Sequence, residues 1–507
     1  MDAQQVVVVG NGMVGHRCVE LLATTPADFK ITVVGGEPRP AYDRVHLSEF
    51  FAGRTCEDLA LATEAGYTKL GIRPVYGDPV AAIEPQSKTV TTRSGLVLGY
   101  DILILATGSY PFVPPIPGND SAHCLTYRTI EDLEQIKASA AAARVGVVVG
   151  GGLLGLECAN ALHNLGLETH VVEFAPGLMG VQLDSSGSKM LRRQIEGLGV
   201  RVHTQKATKS IMAGDKRRLH MEFADGESLD TDMIVFSAGI RPHDQLARDS
   251  GLAVGERGGI VVDDQCRTSD AHIFAIGECA LWQGRILGLV SPGYKMAETA
   301  VAAIRGAPAC FTGADMSTKL KLLGIQVGSI GDAHGRAKQS MSFSFSDPTR
   351  QVYKSICTSA DGERLLGAVL VGDTDDYDTL LQCHLNQLPL PASPEQLVLP
   401  GGVSDVQSDP CALPDTAMIC SCNSVTKGSI HDAIKSGCKT LDALKATTKA
   451  GTGCGGCTQT LEVLLASLNS PADQLAEHTL ECSEIALSKT RAKTRAGSLE
   501  KALEKTG

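Results

Sequence analysis

Short runs of β-branched residues alternate with helical stretches over residues 6–308, a pattern typical of parallel strands joined by crossover helices. Over residues 319–372 the pattern changes to strands, such as 325–330 and 365–371, with short turns between them. The sequence therefore predicts an α/β protein that carries a smaller α+β domain after its parallel sheets.

Six prolines and the pair Gly401-Gly402 lie between Pro389 and Pro414, a composition that disfavours helices and central strands and therefore predicts a connector. Near the carboxyl terminus, residues 499–505 are predicted to form a short amphipathic helix. The predicted boundaries are 1–112 with 243–315 for a first dinucleotide-binding domain, 113–242 for a second, 316–388 for the α+β domain, 389–410 for the linker, 411–470 for a cysteine-bearing domain and 471–507 for the tail.

The composition limits the classes of partner and the compartment. The net charge of the 507 residues is −11, which disfavours binding to nucleic acid or to an anionic membrane surface. No basic leader is found, and no apolar run is long enough for a membrane span, so we expect a cytoplasmic protein. Six of the sixteen cysteines fall between Cys411 and Cys457, and a reducing compartment favours a metal site there over disulfides.

The first glycine motif follows a run of four valines. Gly10, Gly12 and Gly15 form a G-x-G-x-x-G turn between this predicted strand and a helix. The first glycine permits the bend, the second lets the backbone approach a pyrophosphate, and the third lets the helix pack on the strand. Glu37 follows the next predicted strand, at the position where an acid can bind ribose hydroxyls.

A second copy of the motif, with Gly150, Gly152 and Gly155, follows residues 147–149. Its acid is Glu173, which again ends the strand after the glycine turn. An acid at this position accepts a ribose 2′-hydroxyl and repels a 2′-phosphate, so NADH is favoured over NADPH. Two complete motifs in separate parts of the chain predict two dinucleotide sites.

Two further segments, Ala106-Thr107-Gly108 and Gly277-Glu278, each follow a predicted strand. The set and its order resemble the flavoprotein family of pyridine-nucleotide-dependent reductases, in which the second glycine turn holds the nicotinamide cofactor and the other three segments hold FAD. The resemblance implies FAD contacts at Gly10, Gly12, Gly15, Glu37, Arg44, Thr107, Gly108, Gly277 and Glu278. It implies NADH contacts at Gly150, Gly152, Gly155, Glu157, Glu173 and Gly239, with Glu157 reaching the nicotinamide end.

The chain also departs from parts of that family. Glu278 stands where aspartate is commoner, and no redox pair of cysteines accompanies the predicted flavin site. Cys56 and Cys158 are lone and are expected to be buried structural thiols. Arg44 is expected to pair with flavin phosphate or lie near the flavin ring, the alternative being a surface ion pair.

Four cysteines near the carboxyl terminus form two close pairs. Cys420 and Cys422 form a C-x-C pair, and the later Cys454 and Cys457 form a C-x-x-C pair surrounded by glycines. Four thiolates from two tight loops suit tetrahedral Zn²⁺ or a [2Fe–2S] cluster. The arrangement resembles the small helical [2Fe–2S] domain of bacterioferritin-associated ferredoxin, which favours the cluster. Three other cysteines are not needed as ligands: Cys411, Cys438 and Cys482.

Over residues 5–470 the chain resembles the electron-input half of bacterial NADH-dependent nitrite reductase large subunits and the electron-transfer subunits of assimilatory nitrate reductase. The residues that carry this resemblance are 10–16, 42–48, 106–111, 127–133, 150–157, 319–324 and 449–457. The ligand pairs of a sirohaem and [4Fe–4S] centre, C-x5-C and C-x3-C, are not found.

The resemblance implies an NADH-oxidising flavoprotein enzyme. Hydride would pass from NADH to FAD, and electrons would then pass singly through the [2Fe–2S] cluster to a catalytic partner. The expected partner is a nitrate reductase subunit with a molybdenum cofactor, with a separately encoded nitrite reductase as the second choice. A free-standing NADH:ferredoxin-type reductase or oxidase and a redox-sensing protein are the remaining alternatives.

Overall fold

The computed structural model describes residues 3–25, 29–400, 410–421, 423–452 and 455–468. The chain divides into two compact units. The first comprises Met1–Val406 with Ser421–Ser424, and the second comprises Gln407–Cys420 with Val425–Gly507. The predicted tail, with its helix at 499–505 and Cys482, lies outside the described residues.

A five-stranded parallel sheet forms the core of the first dinucleotide-binding region. In the sheet its strands run in the order Ile273–Ala275, Ile102–Leu105, Gln4–Val9, Phe29–Val34 and Arg73–Val75. The central strand explains the run of valines, because Val6–Val9 are at most 4% exposed. A parallel strand covered on both faces needs apolar side chains at every position rather than at alternate ones.

A second five-stranded parallel sheet repeats this design. Its strands run in the order Arg201–His203, Glu168–Val172, Val145–Val149, Met233–Phe236 and Cys124–Thr126. In both sheets the strand that leads into the glycine turn is central, so each turn lies at the carboxyl edge between two neighbouring strands. Ligands of open α/β sheets bind at this edge.

The region after residue 316 is an antiparallel sheet with helices on both faces. Its strands run in the order Thr318–Leu322, Ile325–Gly331, Leu365–Val371, Val352–Thr358 and Met341–Asp347. One face packs on the helix Ser185–Gly197, where the Tyr353 hydroxyl donates to Asp184 at 2.5 Å. The other face packs on the helix Tyr377–Leu385.

Smaller sheets and the remaining helices complete the first unit. The strands are Val80–Glu84, Thr89–Thr92 and Val97–Gly99; Thr208–Ala213, Leu219–Phe223 and Ser228–Thr231; Ser109–Pro111 with Ile240–Pro242; and Ile260–Val262 with Ala280–Trp282. The helices are Met13–Ala23, Cys56–Leu59, Glu64–Lys69, Ile130–Ala140, Leu153–Asn164, Gln245–Asp249 and Val290–Ile304, with 3-10 helices at Leu47–Ala52, Gly277–Cys279 and Pro394–Val398.

The predicted connector contains the last of these 3-10 helices. Pro394 occupies the start of this helix, where its missing N–H costs no hydrogen bond. Leu397 and Val398 are 0% and 3% exposed and pack in the apolar cluster under the antiparallel sheet. The first part of the connector is therefore packed chain rather than free linker, because its apolar residues gain more from burial than its prolines cost. Residues 401–409 lie outside the described residues.

The second unit is small and helical. It contains the short hairpin Met418–Cys420 with Val425–Thr426 and the helices Lys427–Lys435, Leu441–Thr448 and Thr458–Leu468. Its core includes Ile430, Ile434, Leu444, Leu461 and Leu464, each at most 1% exposed. No helix among the described residues of either unit is long and apolar enough to span a membrane.

Candidate functional site

The first glycine turn has the backbone geometry of a dinucleotide cradle. Gly10 has φ +111°, and a Cβ there would lie 2.1 Å from the Ala106 carbonyl oxygen. A Cβ on Gly15 would lie 2.0 Å from the Gly10 carbonyl oxygen. No described atom outside the turn and its own helix lies within 4 Å of the Cβ position of Gly12. The helix Met13–Ala23 begins there without a side-chain cap. This open space before unpaired helical N–H groups suits a pyrophosphate.

The second turn repeats this geometry. Gly150 has φ +121°, and a Cβ there would lie 2.2 Å from the Ser237 carbonyl oxygen. A Cβ on Gly155 would lie 2.0 Å from the Gly150 carbonyl oxygen, while no described atom lies within 4 Å of the Cβ position of Gly152. The helix Leu153–Asn164 also begins without a side-chain cap. The residues present therefore fit two dinucleotides, one at each sheet.

The acid of the first site is already bonded within the protein. Glu37 accepts a hydrogen bond from the Tyr42 hydroxyl at 2.7 Å and forms an ion pair with Arg44. Arg44 also donates to the Arg128 carbonyl oxygen at 3.2 Å. Of the expected roles of Arg44, the structure shows an ion pair, and it is half-buried beside the glycine turn rather than on the open surface.

Glu278, predicted as a flavin contact, accepts hydrogen bonds from Arg128 at 2.5 Å and from the Ser109 hydroxyl at 2.7 Å. The Arg128 Nε atom is buried and has no hydrogen-bond partner among the described residues. A buried, partly unpaired guanidinium suits an anionic or carbonyl-bearing ligand. Arg128 was not among the predicted site residues, although it lies in the segment 127–133 that carried the family resemblance.

Three other predicted flavin contacts lie at the ends of strands in the same sheet. Thr107 donates its hydroxyl to the His243 carbonyl oxygen at 2.7 Å. Gly108 and Gly277 have φ +65° and +77°, and Gly277 begins a 3-10 helix at the carboxyl end of its strand. The turns after the strands Gln4–Val9, Ile102–Leu105 and Ile273–Ala275 thus follow three adjacent strands.

Glu173 is fixed beside the second glycine turn. Its two carboxylate oxygens accept hydrogen bonds from the backbone N–H groups of Gly151, at 2.6 Å, and Ala175, at 2.7 Å. These bonds orient the carboxylate and leave further lone pairs for a ribose hydroxyl. Gly239 has φ +105° and no described atom within 4 Å of its Cβ position.

Glu157 lies on the helix that follows the second turn, and its Oε2 atom is buried without a hydrogen-bond partner among the described residues. Burial raises the pKa of Glu157 to about 7, and the positive charge of His46 opposes this shift. A buried, unpaired carboxyl is costly, so it indicates a place where a ligand completes the hydrogen bonding.

The two lone cysteines differ in their environments. Cys158 is 0% exposed, and burial raises the pKa of its thiol, as expected of a structural cysteine. Cys56 is only partly buried, contrary to expectation, and accepts a hydrogen bond from Arg39 at 3.2 Å. The cause is local: Cys56 begins a four-residue helix that Thr55 caps at the protein surface.

Two of the four predicted cluster ligands, Cys420 and Cys457, are described residues of the second unit. Cys420 ends the first strand of the hairpin, Cys457 precedes the last helix, and they are 2% and 6% exposed. Cys422 and Cys454 lie outside the described residues, which contain no complete group of three or more metal-ligating side chains. Two buried cysteines at element ends within one small helical unit suit a four-thiolate site.

Comparison with protein families accounts for three segments of the chain. Residues 4–307 match the family described as pyridine nucleotide-disulphide oxidoreductase. Residues 317–386 match the rubredoxin NAD+ reductase C-terminal domain, which gives the predicted α+β domain a relative. Residues 418–467 match the BFD-like [2Fe-2S] binding domain. These matches confirm the predicted oxidoreductase class, the fold class, the two dinucleotide cofactors and the [2Fe–2S] cluster.

Two known proteins are similar to nearly the full length of this chain. The nitrite reductase (NADH) large subunit of Escherichia coli K12 is 52% identical over 94% of this chain and 58% of its own length. The assimilatory nitrate reductase electron transfer subunit of Bacillus subtilis 168 is 36% identical over 92% of this chain and 60% of its own length. The chain therefore spans about three fifths of each relative.

Solved structures show the same fold over the first unit. A ferredoxin reductase from Rhodopseudomonas palustris matches with a TM-score of 0.71 and 24% identity, over 79% of this chain and 98% of the other. At this identity the likeness shows the fold alone. The match over residues 4–307, more than half of the chain, shows by itself that the chain belongs to the pyridine nucleotide-disulphide oxidoreductase family.

Proposed function

We propose that this chain oxidises NADH and delivers the electrons, one at a time, to a catalytic subunit of an assimilatory nitrate reductase. The observation that carries the proposal is the pair of open glycine turns in one compact unit, in a chain whose second unit has the [2Fe–2S] fold. When bound, FAD accepts hydride as a two-electron step and releases electrons singly, which matches a one-electron cluster to a two-electron donor.

The side chains of the two sites bind and orient rather than carry out the chemistry. Gly12 and Gly152 leave room for the two pyrophosphates, and the helix N-termini stabilise their charge. Arg44 and Arg128 supply positive charge at the FAD site, now neutralised by Glu37 and Glu278. The roles predicted from the sequence for the other FAD and NADH contacts are likewise proposed.

The preference for NADH rests on Glu173. Its carboxylate is held by two backbone N–H groups, so it cannot turn away from a 2′-phosphate without losing both bonds. The repulsion of a phosphate by this carboxylate favours the unphosphorylated ribose of NADH.

The nitrate reductase partner is supported by the Bacillus subtilis relative, which is named as an electron transfer subunit. In this proposal the partner holds a molybdenum cofactor, since the motifs found here serve FAD, NADH and one cluster. The higher identity to the Escherichia coli relative, 52%, favours a nitrite reductase as the second candidate. With either partner we expect the chain to lie in the cytoplasm, a reducing compartment that suits its sixteen cysteines.

Reconstitution separates these candidates. The purified chain should oxidise NADH with ferricyanide or a viologen-like dye and should not reduce nitrate or nitrite. Adding a molybdenum-containing nitrate reductase subunit should restore NADH-dependent nitrate reduction. Restoration only by a sirohaem protein would favour the nitrite reductase, and nitrite consumption by the single chain would contradict both.

The predicted domain boundaries, 1–112 with 243–315, 113–242, 316–388, 389–410, 411–470 and 471–507, are likewise proposed. They are supported by the separate sheets and by the family matches over 317–386 and 418–467.

A further inference from the structure

Asp43 and His46 form an oriented pair in the loop before the 3-10 helix Leu47–Ala52. One oxygen of Asp43 accepts from the backbone N–H groups of Val45 and His46, at 2.8 and 3.3 Å. The other lies 2.7 Å from His46 Nδ1. This hydrogen bond raises the pKa of His46 and favours the imidazolium form. The His46 side chain is 37% exposed, so it exchanges protons with solvent directly.

The pair lies close to the buried Glu157 carboxyl described above. The 3-10 helix that follows His46 packs against the helix Leu153–Asn164, which carries Glu157. The charge of His46 lowers the pKa of Glu157 against the stronger effect of burial, so the two groups interact electrostatically. Both are described residues, and they share no direct hydrogen bond, so a proton that passes between them needs an intervening carrier such as a water molecule.

Two buried groups near the pair, Tyr127 and Cys158, hold their protons more tightly than usual. Burial raises the pKa of Tyr127 well above its ordinary value, and the Glu157 charge raises it further. Cys158 is buried, which raises its pKa as well. Glu49 and Arg54 act on His46 with opposite signs, and they are paired with each other at 2.9 Å.

The proposed function, on which this inference rests, creates a proton that must leave the site. Oxidation of one NADH yields NAD⁺, two electrons and one proton. The two electrons leave through one-electron acceptors, which take no proton with them. A proton released beside a buried carboxyl such as that of Glu157 needs a path to solvent, and such paths use groups whose pKa lies near the working pH.

We propose that Glu157 receives this proton and that His46, oriented by Asp43, passes it to solvent through a bridging water. The imidazolium of His46 first releases a proton to bulk water and becomes neutral imidazole. The carboxylate of Glu157 takes up the proton from the site, and the resulting carboxylic acid passes it through the bridging water to this imidazole, which restores both the carboxylate and the imidazolium. Hydride transfer itself needs no proton from this path. The path therefore serves the release of electrons rather than the uptake of hydride.

The two half-reactions can be measured separately in the full chain loaded with FAD. Stopped-flow absorbance follows flavin reduction by NADH, and a second mixing step with ferricyanide follows reoxidation, while an indicator dye records the proton. In the His46→Gln protein the ratio of the reoxidation rate to the reduction rate should fall by about tenfold or more. Proton release should slow in parallel, and added imidazole should partly restore both.

A matched control replaces another histidine of the same region. His163→Gln lies on the same helix as Glu157 and should leave the ratio of rates within about twofold of the unmodified protein, a spread well below the effect of a lost proton carrier. A second variant, Asp43→Asn, keeps an acceptor for the backbone N–H groups but removes the charge that orients His46. It should lower the ratio in the same direction as His46→Gln.

A readout independent of turnover is the titration of Glu157 by infrared spectroscopy, with its carboxyl band assigned by its loss in Glu157→Gln. Removing the cation at position 46 should raise the pKa of this carboxyl. An unchanged carboxyl titration with unchanged proton release in His46→Gln would overturn the relay. Equal slowing of both half-reactions would also overturn it, in favour of a structural role. Failure of NADH to reduce the flavin of the unmodified protein would instead overturn the proposed function, and the relay with it.

Discussion

Gly12 and Gly10 stand two residues apart in the same turn, yet the structure predicts opposite consequences for alanine at each. At Gly10 the new Cβ would lie 2.1 Å from the Ala106 carbonyl oxygen, in a backbone conformation with φ +111°. The left-handed conformation alone costs about 1–2 kcal/mol for an alanine. The clash involves the backbone of two central strands and cannot relax, so Gly10→Ala should not give soluble protein.

At Gly12 the backbone is extended, with φ −87°, and no described atom lies within 4 Å of the Cβ position. Alanine is a poorer N-cap than glycine by about 1 kcal/mol. It gains about 0.4–1 kcal/mol by restricting the unfolded chain. These effects nearly cancel, so Gly12→Ala should fold with a stability within about 1 kcal/mol of the unmodified chain.

The cost at Gly12 should appear in FAD binding. The methyl group would occupy the space assigned to the pyrophosphate, and such overpacking costs about 1–3 kcal/mol. This corresponds to a dissociation constant for FAD weakened by about 5- to 150-fold. The assay is fluorescence titration of the apoprotein with FAD, with thermal unfolding of the apoprotein measured by circular dichroism.

Two further glycines supply controls. Gly152→Ala should retain FAD and lose affinity for NADH, because the same open space lies before the second helix. Gly197→Ala, at the end of a helix and without neighbours within 4 Å among the described residues, should leave both dinucleotides unaffected. A folded Gly12→Ala protein that binds FAD as tightly as the unmodified chain would refute the assignment of this space.

Three other substitutions test separate parts of the molecule. Glu173→Ala should weaken NADH binding by about 1–3 kcal/mol and reduce the preference for NADH over NADPH. Glu173→Gln is the control for packing. Unchanged kinetics with both nucleotides would show that Glu173 does not contact the ribose. Cys457→Ser should lose iron and the signal of the reduced cluster but keep FAD and dye reduction, whereas stoichiometric zinc in the unmodified chain would contradict the cluster. Lys354→Met should lower the free energy of unfolding measured in urea by about 1–3 kcal/mol, because loss of this 5% exposed cation leaves the partly exposed carboxylates of Asp373 and Asp376 without their partner; a change below about 0.5 kcal/mol would show that these carboxylates are solvated.

The sequence by itself determined the parts of the protein that local rules govern. A run of valines followed by G-x-G-x-x-G fixes a buried parallel strand, a tight turn and a helix in one short stretch of chain. The sequence alone therefore identifies both glycine motifs, the acids after the following strands and the four cysteines.

Only the tertiary structure decided which distant side chains meet. Arg128 and Glu278 are far apart in the chain, and no periodicity predicts their ion pair. His46 interacts with Glu157 because a 3-10 helix and an α-helix from distant parts of the chain pack together. The packing of the segment after residue 389 also depends on distant parts of the chain, because proline content describes local backbone preference, whereas burial of Leu397 and Val398 depends on a sheet formed by earlier residues.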